Sequence, residues 1–346
     1  MNQQIETLTD VQLAGQRLMV GFDGKTVDKQ LAAMITRLRV GGVALFKRNV
    51  ATPDQLSALC RDIQSLSRQT GNPPLLIAVD QEVGPVARLG PPFTVFPGNR
   101  AIGESQSPDA AEEFGLITAI ELKDVGINMN FAPVLDTVPF EDDGFVMTDR
   151  VFGHSPRLTT DLGIRVIETM QSNGVAATAK HFPGIGRTTI DSHADLPSLD
   201  TDQETLRTAD LLPFHAAIQH DVAAMMLSHV IYTDIDPAWP ASLSARVANT
   251  LLRQVMGFRG VSITDDLDMG AIAKHYDVPT VVKQICEAGI DIALICRSRQ
   301  KIEAAHGQFM EVSNASDDTR AAHLSSVRRI LTVKSKYIQS ESLELV

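Results

Sequence analysis

Eight short apolar runs recur along the chain, and longer stretches with helical periodicity separate them. Such runs are typical of parallel strands that are covered on both faces. They span residues 17–22, 40–46, 75–80, 127–133, 175–180, 223–228, 261–264 and 290–295. The pattern predicts an α/β fold, and eight runs favour a single (β/α)8 TIM-type barrel. Periodicity alone does not distinguish this closed barrel from an open parallel sheet.

The length of the chain favours one domain. Its 346 residues, 44% of them hydrophobic, can bury a full core, and α/β barrels of this size commonly form a single domain. No proline-rich or low-complexity linker interrupts the sequence. We therefore predict one barrel domain over residues 1–346, with a C-terminal helix and a frayed tail after about residue 300.

Composition and charge argue against several classes of protein. Cys60, Cys286 and Cys296 cannot all pair within the chain and fit no zinc-ligand spacing, so we expect a reducing compartment. Residues 1–6 lack the features of a signal peptide, and no apolar run approaches the roughly 20 residues of a membrane span. The net charge is −11, without a basic stripe. We expect a cytoplasmic protein with neither nucleic acid nor membrane as partner, and the oligomeric state stays open.

Two clusters of ionisable residues lie at the ends of two of the apolar runs. The first extends from Lys180 to Gly184 and continues with Asp191 and His193, and the second extends from Thr264 to Met269. Enzymes with parallel α/β folds carry their chemistry at the carboxyl ends of the strands, so we expect the clusters to meet there. Carboxylates that face a proton donor across a bond suit the hydrolysis of a glycoside.

The spacing of Asp191 and His193 on a predicted loop suits proton transfer. The carboxylate can accept a hydrogen bond from one imidazole nitrogen while the other nitrogen faces a leaving group. An imidazole titrates near neutral pH, so one group can act first as an acid and then as a base. A bland alternative is that these residues form only a polar turn.

Five segments, in order along the chain, resemble glycoside hydrolase family 3, and most closely its β-N-acetylhexosaminidases. The similarity extends from about residue 10 to about residue 300, which makes it more specific than any one motif. The segments are Val79 to Glu82 with Arg88 and Leu89, Asn130 to Asp136, Asp149 to Gly153, Lys180 to Gly184 with Asp191 to His193, and Thr264 to Leu267. The family has a single barrel, which agrees with the count of strands.

The resemblance implies a retaining exo-β-N-acetylglucosaminidase that needs no metal or organic cofactor. It implies that Asp265 is the nucleophile that forms a glycosyl-enzyme, with Asp266 as a supporting neighbour, and that His193 is the acid/base, oriented by Asp191. Strand alternation lets only one of the two adjacent carboxylates face the sugar, although the sequence alone does not choose between them. Five further residues match positions that bind the hydroxyls of the sugar, namely Asp80, Arg88, Arg150, Lys180 and His181. The implied substrate is a small carbohydrate or a muropeptide from the cell wall.

Other functions remain open at this point. A β-glucosidase or β-xylosidase of the same family is the nearest, but those enzymes usually carry a glutamate acid/base on a further domain, for which 346 residues leave no room. A catalytically silent sugar-binding barrel is the second. A metal hydrolase is the third, although no two histidines show the spacing of a metal-binding helix.

Some residues have structural interpretations, and some depart from the family pattern. Asp265 and Asp266 could cap the following helix, Arg150 and Lys180 could form structural ion pairs, and His229 could either line a pocket or lie in the core. The departures, which leave the predicted catalytic groups in place, are at Val83, Pro85, Ile185 and Arg187.

Overall fold

Eight parallel strands close into a barrel within the part of the chain that the structure describes, which is residue 5, residues 7–140 and residues 144–338 of a computed structural model. Strands adjacent in sequence are adjacent in the barrel, and the eighth pairs with the first, with Leu18 opposite Ala293. The strands are β1 (Leu18–Gly21), β2 (Gly42–Leu45), β3 (Leu76–Val79), β4 (Met129–Asn130), β5 (Ala176–Phe182), β6 (Ala224–Leu227), β7 (Val261–Asp266) and β8 (Ile292–Ile295). Each predicted run overlaps one of these strands, although β5 and β7 each continue two residues beyond the predicted run, and the predicted TIM-type barrel is confirmed.

Side chains of the barrel strands alternate between two apolar layers. Met19 packs in a cluster inside the barrel, whereas its neighbours Leu18 and Val20 pack in the layer between strands and helices. This is the period of two that a strand imposes on its side chains. The strands are buried on both faces, which explains why their sequences read as continuous apolar runs.

The helices surround the barrel, and several begin with a Ser or Thr whose hydroxyl caps the first turn. Ser107 and Ser155 each accept a hydrogen bond from a backbone amide, and each is followed by a proline at the first helical position. The α-helices of five or more residues are Asp10–Gln16, Lys29–Thr36, Pro53–Gln69, Asn99–Ser105, Pro108–Asp124, Pro156–Ser172, Leu212–Gln219, Val278–Glu287, Arg299–Ser313 and Asp317–Tyr337.

Short or irregular elements complete the loops. Gln203–Thr205 and Gly270–Ala273 are short α-helices, Leu206–Asp210 and Arg246–Val255 are π-helical, and Lys47–Asn49 and Ala241–Leu243 are 3₁₀ turns. Gln81–Val83 pairs with Val86–Ala87 in an antiparallel hairpin, and Ser198–Leu199 pairs in parallel with Ile231–Tyr232. In the described ranges, no helix combines the length and the apolar character needed to cross a membrane.

The C-terminal region contains two helices where the sequence predicted one. A capping box at Ser316 begins the second helix, Asp317–Tyr337, three residues after Arg299–Ser313 ends. Ile330, Val333 and Tyr337 of this last helix pack into the cluster inside the barrel. The helix therefore belongs to the core of the fold. The tail predicted beyond it, residues 339–346, lies outside the described residues.

Candidate active site

A cavity of about 520 Å³ lies at the carboxyl ends of the barrel strands, and all eight predicted site residues line it. They come from four strand ends and from the loops that follow them. They are Asp80, Arg88, Arg150, Lys180, His181, Asp191, His193 and Asp265. The structure therefore brings together residues that are up to 185 positions apart in the sequence, from Asp80 to Asp265.

Irregular pairing at the end of β7 places Asp265 and Asp266 beside the cavity. Ile263 pairs with Ile292 and Asp266 with Leu294, so three steps along β7 match two steps along β8. An extra residue of this kind is a β-bulge, which interrupts the alternation of side chains. The regular alternation expected from the sequence therefore fails here, and both aspartates line the same cavity.

The same mismatch occurs at the end of β5. Three steps from Ala179 to Phe182 match two steps along β6. Lys180 and His181 lie within this stretch, and both line the cavity. The predicted run ended at Lys180, whereas the observed strand continues to Phe182, and the bulge near its end directs two consecutive side chains to one side.

The two aspartates of β7 have different environments. The Asp266 carboxylate accepts hydrogen bonds from the amides of Asp268 (3.0 Å) and Cys296 (3.1 Å), which tie it to the barrel wall. Burial raises the pKa of Asp266 to about 6. Burial would also raise the pKa of Asp265, but the nearby His229 and His181 outweigh it and lower that pKa below its ordinary value. Asp265 is therefore the more acidic of the two carboxylates, and it is ionised at neutral pH.

A network of buried ion pairs forms one wall of the cavity. The Lys180 ammonium contacts Asp80 at 2.7 Å and also contacts Glu82. Arg150 binds both oxygens of Glu82, at 2.9 and 2.7 Å, and Arg88 contacts Asp80 at 3.2 Å. Burial opposes ionisation of these groups, but attraction between the opposite charges outweighs it. The pKa values of Asp80 and Glu82 are therefore lowered, and those of Lys180 and Arg150 are raised. All four groups are charged at neutral pH.

His181 is held in a defined orientation by residues on both sides of its ring. Its Nδ1 lies 2.7 Å from Asp136, and its Nε2 lies 3.4 Å from Nη2 of Arg150. The Asp136 carboxylate can only accept, so Nδ1 donates to it, and this hydrogen bond orients the ring. Asp136 also accepts from the amides of His181 (3.1 Å) and Ile185 (2.7 Å), which fix the carboxylate in turn.

Asp191 and His193 form a pair on the loop after β5. The ring Nδ1 and the backbone amide of His193 each lie 2.8 Å from Oδ1 of Asp191. Hydrogen bonds from His193 outweigh partial burial and lower the pKa of Asp191, so it is an anion that orients the ring. This arrangement leaves Nε2 as the ring nitrogen that can exchange a proton with a bound ligand. The His193 side chain is 69% exposed, which shows that the loop lies at the mouth of the cavity.

Two residues of the site were not predicted from the sequence. Glu82 lines the cavity beside Lys180 and Arg150, and Asp136 lies behind His181. Both occur in the segments that resemble the family, so their motifs carried a signal. Their roles depend on partners from other strands, which a local pattern does not identify.

His229 belongs to the core rather than to the cavity wall. Its two ring nitrogens lie 2.7 Å from the Ser242 hydroxyl and 3.0 Å from the Asp266 carbonyl, and the residue is fully buried. Burial lowers the pKa of His229. This histidine fixes the backbone at the end of β7, next to Asp265.

The departures from the family pattern lie around the cavity. Ile185 lines it, and Arg187 turns to Asp210, which Nε contacts at 2.9 Å. Val83 lies in the hairpin after β3 with a φ of 70°, a conformation that favours glycine. These residues shape the loops beside the cavity without occupying the positions of the predicted catalytic groups.

Metal binding has no ready site in the described part of the chain. Within residues 7–140 and 144–338, no three His, Cys, Asp or Glu side chains are grouped so that they could hold a metal ion. The three cysteines, Cys60, Cys286 and Cys296, form no disulfide.

Comparison with known proteins identifies relatives along most of the chain. A family model described as the glycosyl hydrolase family 3 N terminal domain matches residues 3–333. The chain is 34% identical to a β-hexosaminidase from Nitrosomonas eutropha over 313 residues, which are 89% of this chain and 88% of that one. It is 32% identical to β-hexosaminidase A from Pseudoalteromonas piscicida in an alignment of 374 positions, gaps included, that covers 97% of this chain and 62% of that one.

A solved structure is similar as well. The glycoside hydrolase family 3 β-N-acetylglucosaminidase from Paenibacillus sp. matches with a TM-score of 0.93 and 37% identity, over 98% of this chain and 65% of that one. The chain thus spans less than two thirds of the length of the Paenibacillus and Pseudoalteromonas proteins.

Proposed function

The chain belongs to glycoside hydrolase family 3, and on that basis we propose that it is a retaining exo-β-N-acetylglucosaminidase. The observation that carries this proposal is the single cavity in which the ionised Asp265 lies together with the Asp191–His193 pair and a wall of hydroxyl-binding charges. The names of the relatives, which are β-hexosaminidases and a β-N-acetylglucosaminidase, support the choice of sugar.

In this mechanism Asp265 attacks the anomeric carbon of the sugar. A nucleophilic carboxylate must be ionised, and the lowered pKa of Asp265 meets that requirement. Attack forms a covalent glycosyl-enzyme and expels the leaving group. The amide of Asp266 donates to Oδ1 of Asp265 at 2.8 Å, which holds one oxygen while the other remains for the sugar.

His193 supplies and then recovers the proton. In the first step Nε2 protonates the oxygen of the leaving group, and in the second step it accepts a proton from the water that attacks the glycosyl-enzyme. Asp191 keeps Nδ1 as the other protonated nitrogen and stabilises the imidazolium electrostatically, since its own pKa is lowered.

The charged wall would hold the non-reducing N-acetylglucosamine. Asp80 can accept from sugar hydroxyls, and Arg88, Arg150 and Lys180 can donate to them, through charge-assisted hydrogen bonds. His181, which Asp136 orients, adds a further polar contact. The ion pairs that fix these side chains also reduce the cost of ordering them when the sugar binds.

We also propose that the natural substrate is a muropeptide and that the enzyme acts in the cytoplasm. Cysteines without disulfide bonds, at Cys60, Cys286 and Cys296, support a reducing compartment. Release of N-acetylglucosamine from purified muropeptides by the chain would test the substrate.

The deciding experiment compares three aryl glycosides that differ only in the sugar. We expect the purified chain to hydrolyse the β-N-acetylglucosaminide with a kcat/KM at least about 100-fold above that for the β-glucoside and the β-xyloside, because a site that binds a polar substituent rejects analogues without it. The first product should be the β anomer, and a chelator should leave the rate unchanged. Preference for glucoside or xyloside favours the other activities of the family, and no turnover of any substrate favours a silent barrel.

A further inference from the structure

The loop that carries Asp191 and His193 is docked on the short helix that follows β7. This helix, Gly270–Ala273, begins five residues after Asp265. The amide of Gly270 donates to the His193 carbonyl at 3.1 Å, and the amide of Ala271 donates to the Ser192 carbonyl at 3.0 Å. Amides in the first turn of a helix have no acceptor within the helix, so the loop carbonyls satisfy them.

Two side chains from the same region hold the next two residues of the loop. Nζ of Lys274 donates to the Ala194 carbonyl at 2.6 Å, and Nε2 of His275 lies 2.7 Å from Asp195. Four consecutive loop residues, 192–195, thus each contact residues 270–275.

The absence of a side chain at Gly270 lets the loop lie close to the helix. A Cβ at this position would lie 2.6 Å from the carbonyl oxygens of both His193 and Ala194, which is closer than side-chain carbons approach such atoms. The conformation of Gly270 lies outside the left-handed region, so its backbone does not itself require glycine. The absent side chain therefore serves the contact with the loop.

We propose that Gly270, Lys274 and His275 are positioning residues that hold the loop so that His193 faces the cavity. The proposal rests on the function given above, in which His193 transfers the proton. Proton transfer needs a heavy-atom separation of about 2.6–3.2 Å, and the exposed His193 ring has little packing of its own to maintain it. The docking helix follows β7 after three residues, so the end of this strand positions both Asp265 and, through the helix, the loop that carries His193.

The variant Gly270→Ala tests this by changing a single methyl group. The loop should be displaced, so that kcat/KM for a β-linked disaccharide falls at least about tenfold, part of the 10²- to 10⁴-fold that proton transfer contributes. An aryl substrate with an acidic phenol, which departs with little protonation, should lose less than about threefold. Adding Gly270→Ala to His193→Ala should cause no further loss. Gly307→Ala is the matched control, because a Cβ at this helical glycine meets open space.

Hydrogen exchange measures the docking without using activity. In Gly270→Ala, the amides of residues 270 and 271 should exchange faster than in the unsubstituted chain or in Gly307→Ala. Lys274→Met should show a smaller effect of the same kind on exchange and on the disaccharide, and Lys274→Arg should restore both. Unchanged exchange, or an equal loss on both substrates, overturns the proposal. If the unsubstituted chain hydrolyses no glycoside, the proposed function fails instead, and the exchange data decide the docking alone.

Discussion

Replacing Lys180 with Met should reduce both activity and stability, because this lysine lines the proposed sugar site and belongs to the buried ion-pair network. Its side chain is 2% exposed and contacts Asp80 and Glu82, of which Glu82 is 1% exposed. The raised pKa of Lys180 means that its charged form is stabilised in the fold despite burial. Removing one partner from a buried ion pair typically costs about 3–5 kcal/mol.

The magnitude follows from the partners that remain. After Lys180→Met, Glu82 retains Arg150 and Asp80 retains Arg88, so we expect the lower end, about 3 kcal/mol. An unfolding entropy of about 2.1 cal/mol/K per residue gives roughly 0.7 kcal/mol/K for 346 residues, so Tm should fall by about 4 °C. Loss of a charge-assisted contact to the sugar, worth about 1.5–3 kcal/mol, should lower kcat/KM about 10- to 150-fold.

Denaturant unfolding, thermal unfolding and steady-state kinetics check the two effects separately. Lys283→Met is the matched control, since Lys283 pairs with Glu287 on an exposed helix face and should change stability by less than about 0.5 kcal/mol. A double-mutant cycle with Glu82→Gln should give a coupling of about 1–3 kcal/mol. Lost activity with unchanged stability and no coupling would refute the structural part of this reasoning. Normal kinetics with lost stability would refute the role in sugar binding.

Three further predictions address other residues. Asp265→Asn should lower the rate of turnover at least about 10⁴-fold while leaving the fold intact. A slow fluorinated glycoside should label Asp265 in the unsubstituted chain, and a label on Asp266 would show that the wrong carboxylate was chosen. His193→Ala should slow disaccharides far more than activated aryl glycosides, with Asp191→Ala milder, and azide should partly restore deglycosylation; equal slowing of all substrates without rescue contradicts the acid/base role. Burial lowers the pKa of Lys334 to about 7. Between about pH 7 and the pKa of a lysine in the unfolded chain, near 10.4, the unfolded chain therefore binds one more proton than the folded chain, and the free energy of unfolding rises with pH. The free energy of unfolding of Lys334→Met, relative to that of the unsubstituted chain, should therefore fall by roughly 4 kcal/mol from pH 7 to pH 10 in denaturant titrations. A difference that does not change with pH would show that Lys334 is not titrating in this range.

The sequence determined the strands of the fold and, together with the family resemblance, most of the residues that line the cavity. Strands buried on both faces must be continuously apolar, so the eight runs could be recognised without the structure. The carboxyl ends of parallel strands meet at one end of a barrel, so residues at those ends, such as Asp80, Lys180 and Asp265, had to converge. The family resemblance, which the match to the family model confirms, then selected which of the polar residues belong together.

Only the tertiary structure decided how those residues are aimed and partnered. The bulges direct Lys180 and His181, and likewise Asp265 and Asp266, into the same cavity although they are consecutive residues. The bulges arise from pairing with neighbouring strands, so the alternation read along one strand does not predict them. The same holds for the Glu82 ion pairs and for the loop docked on Gly270, whose partners lie 68 to 98 and 77 residues away in sequence. Local patterns record the burial and period of each segment, whereas contacts between distant segments exist only once the barrel has closed.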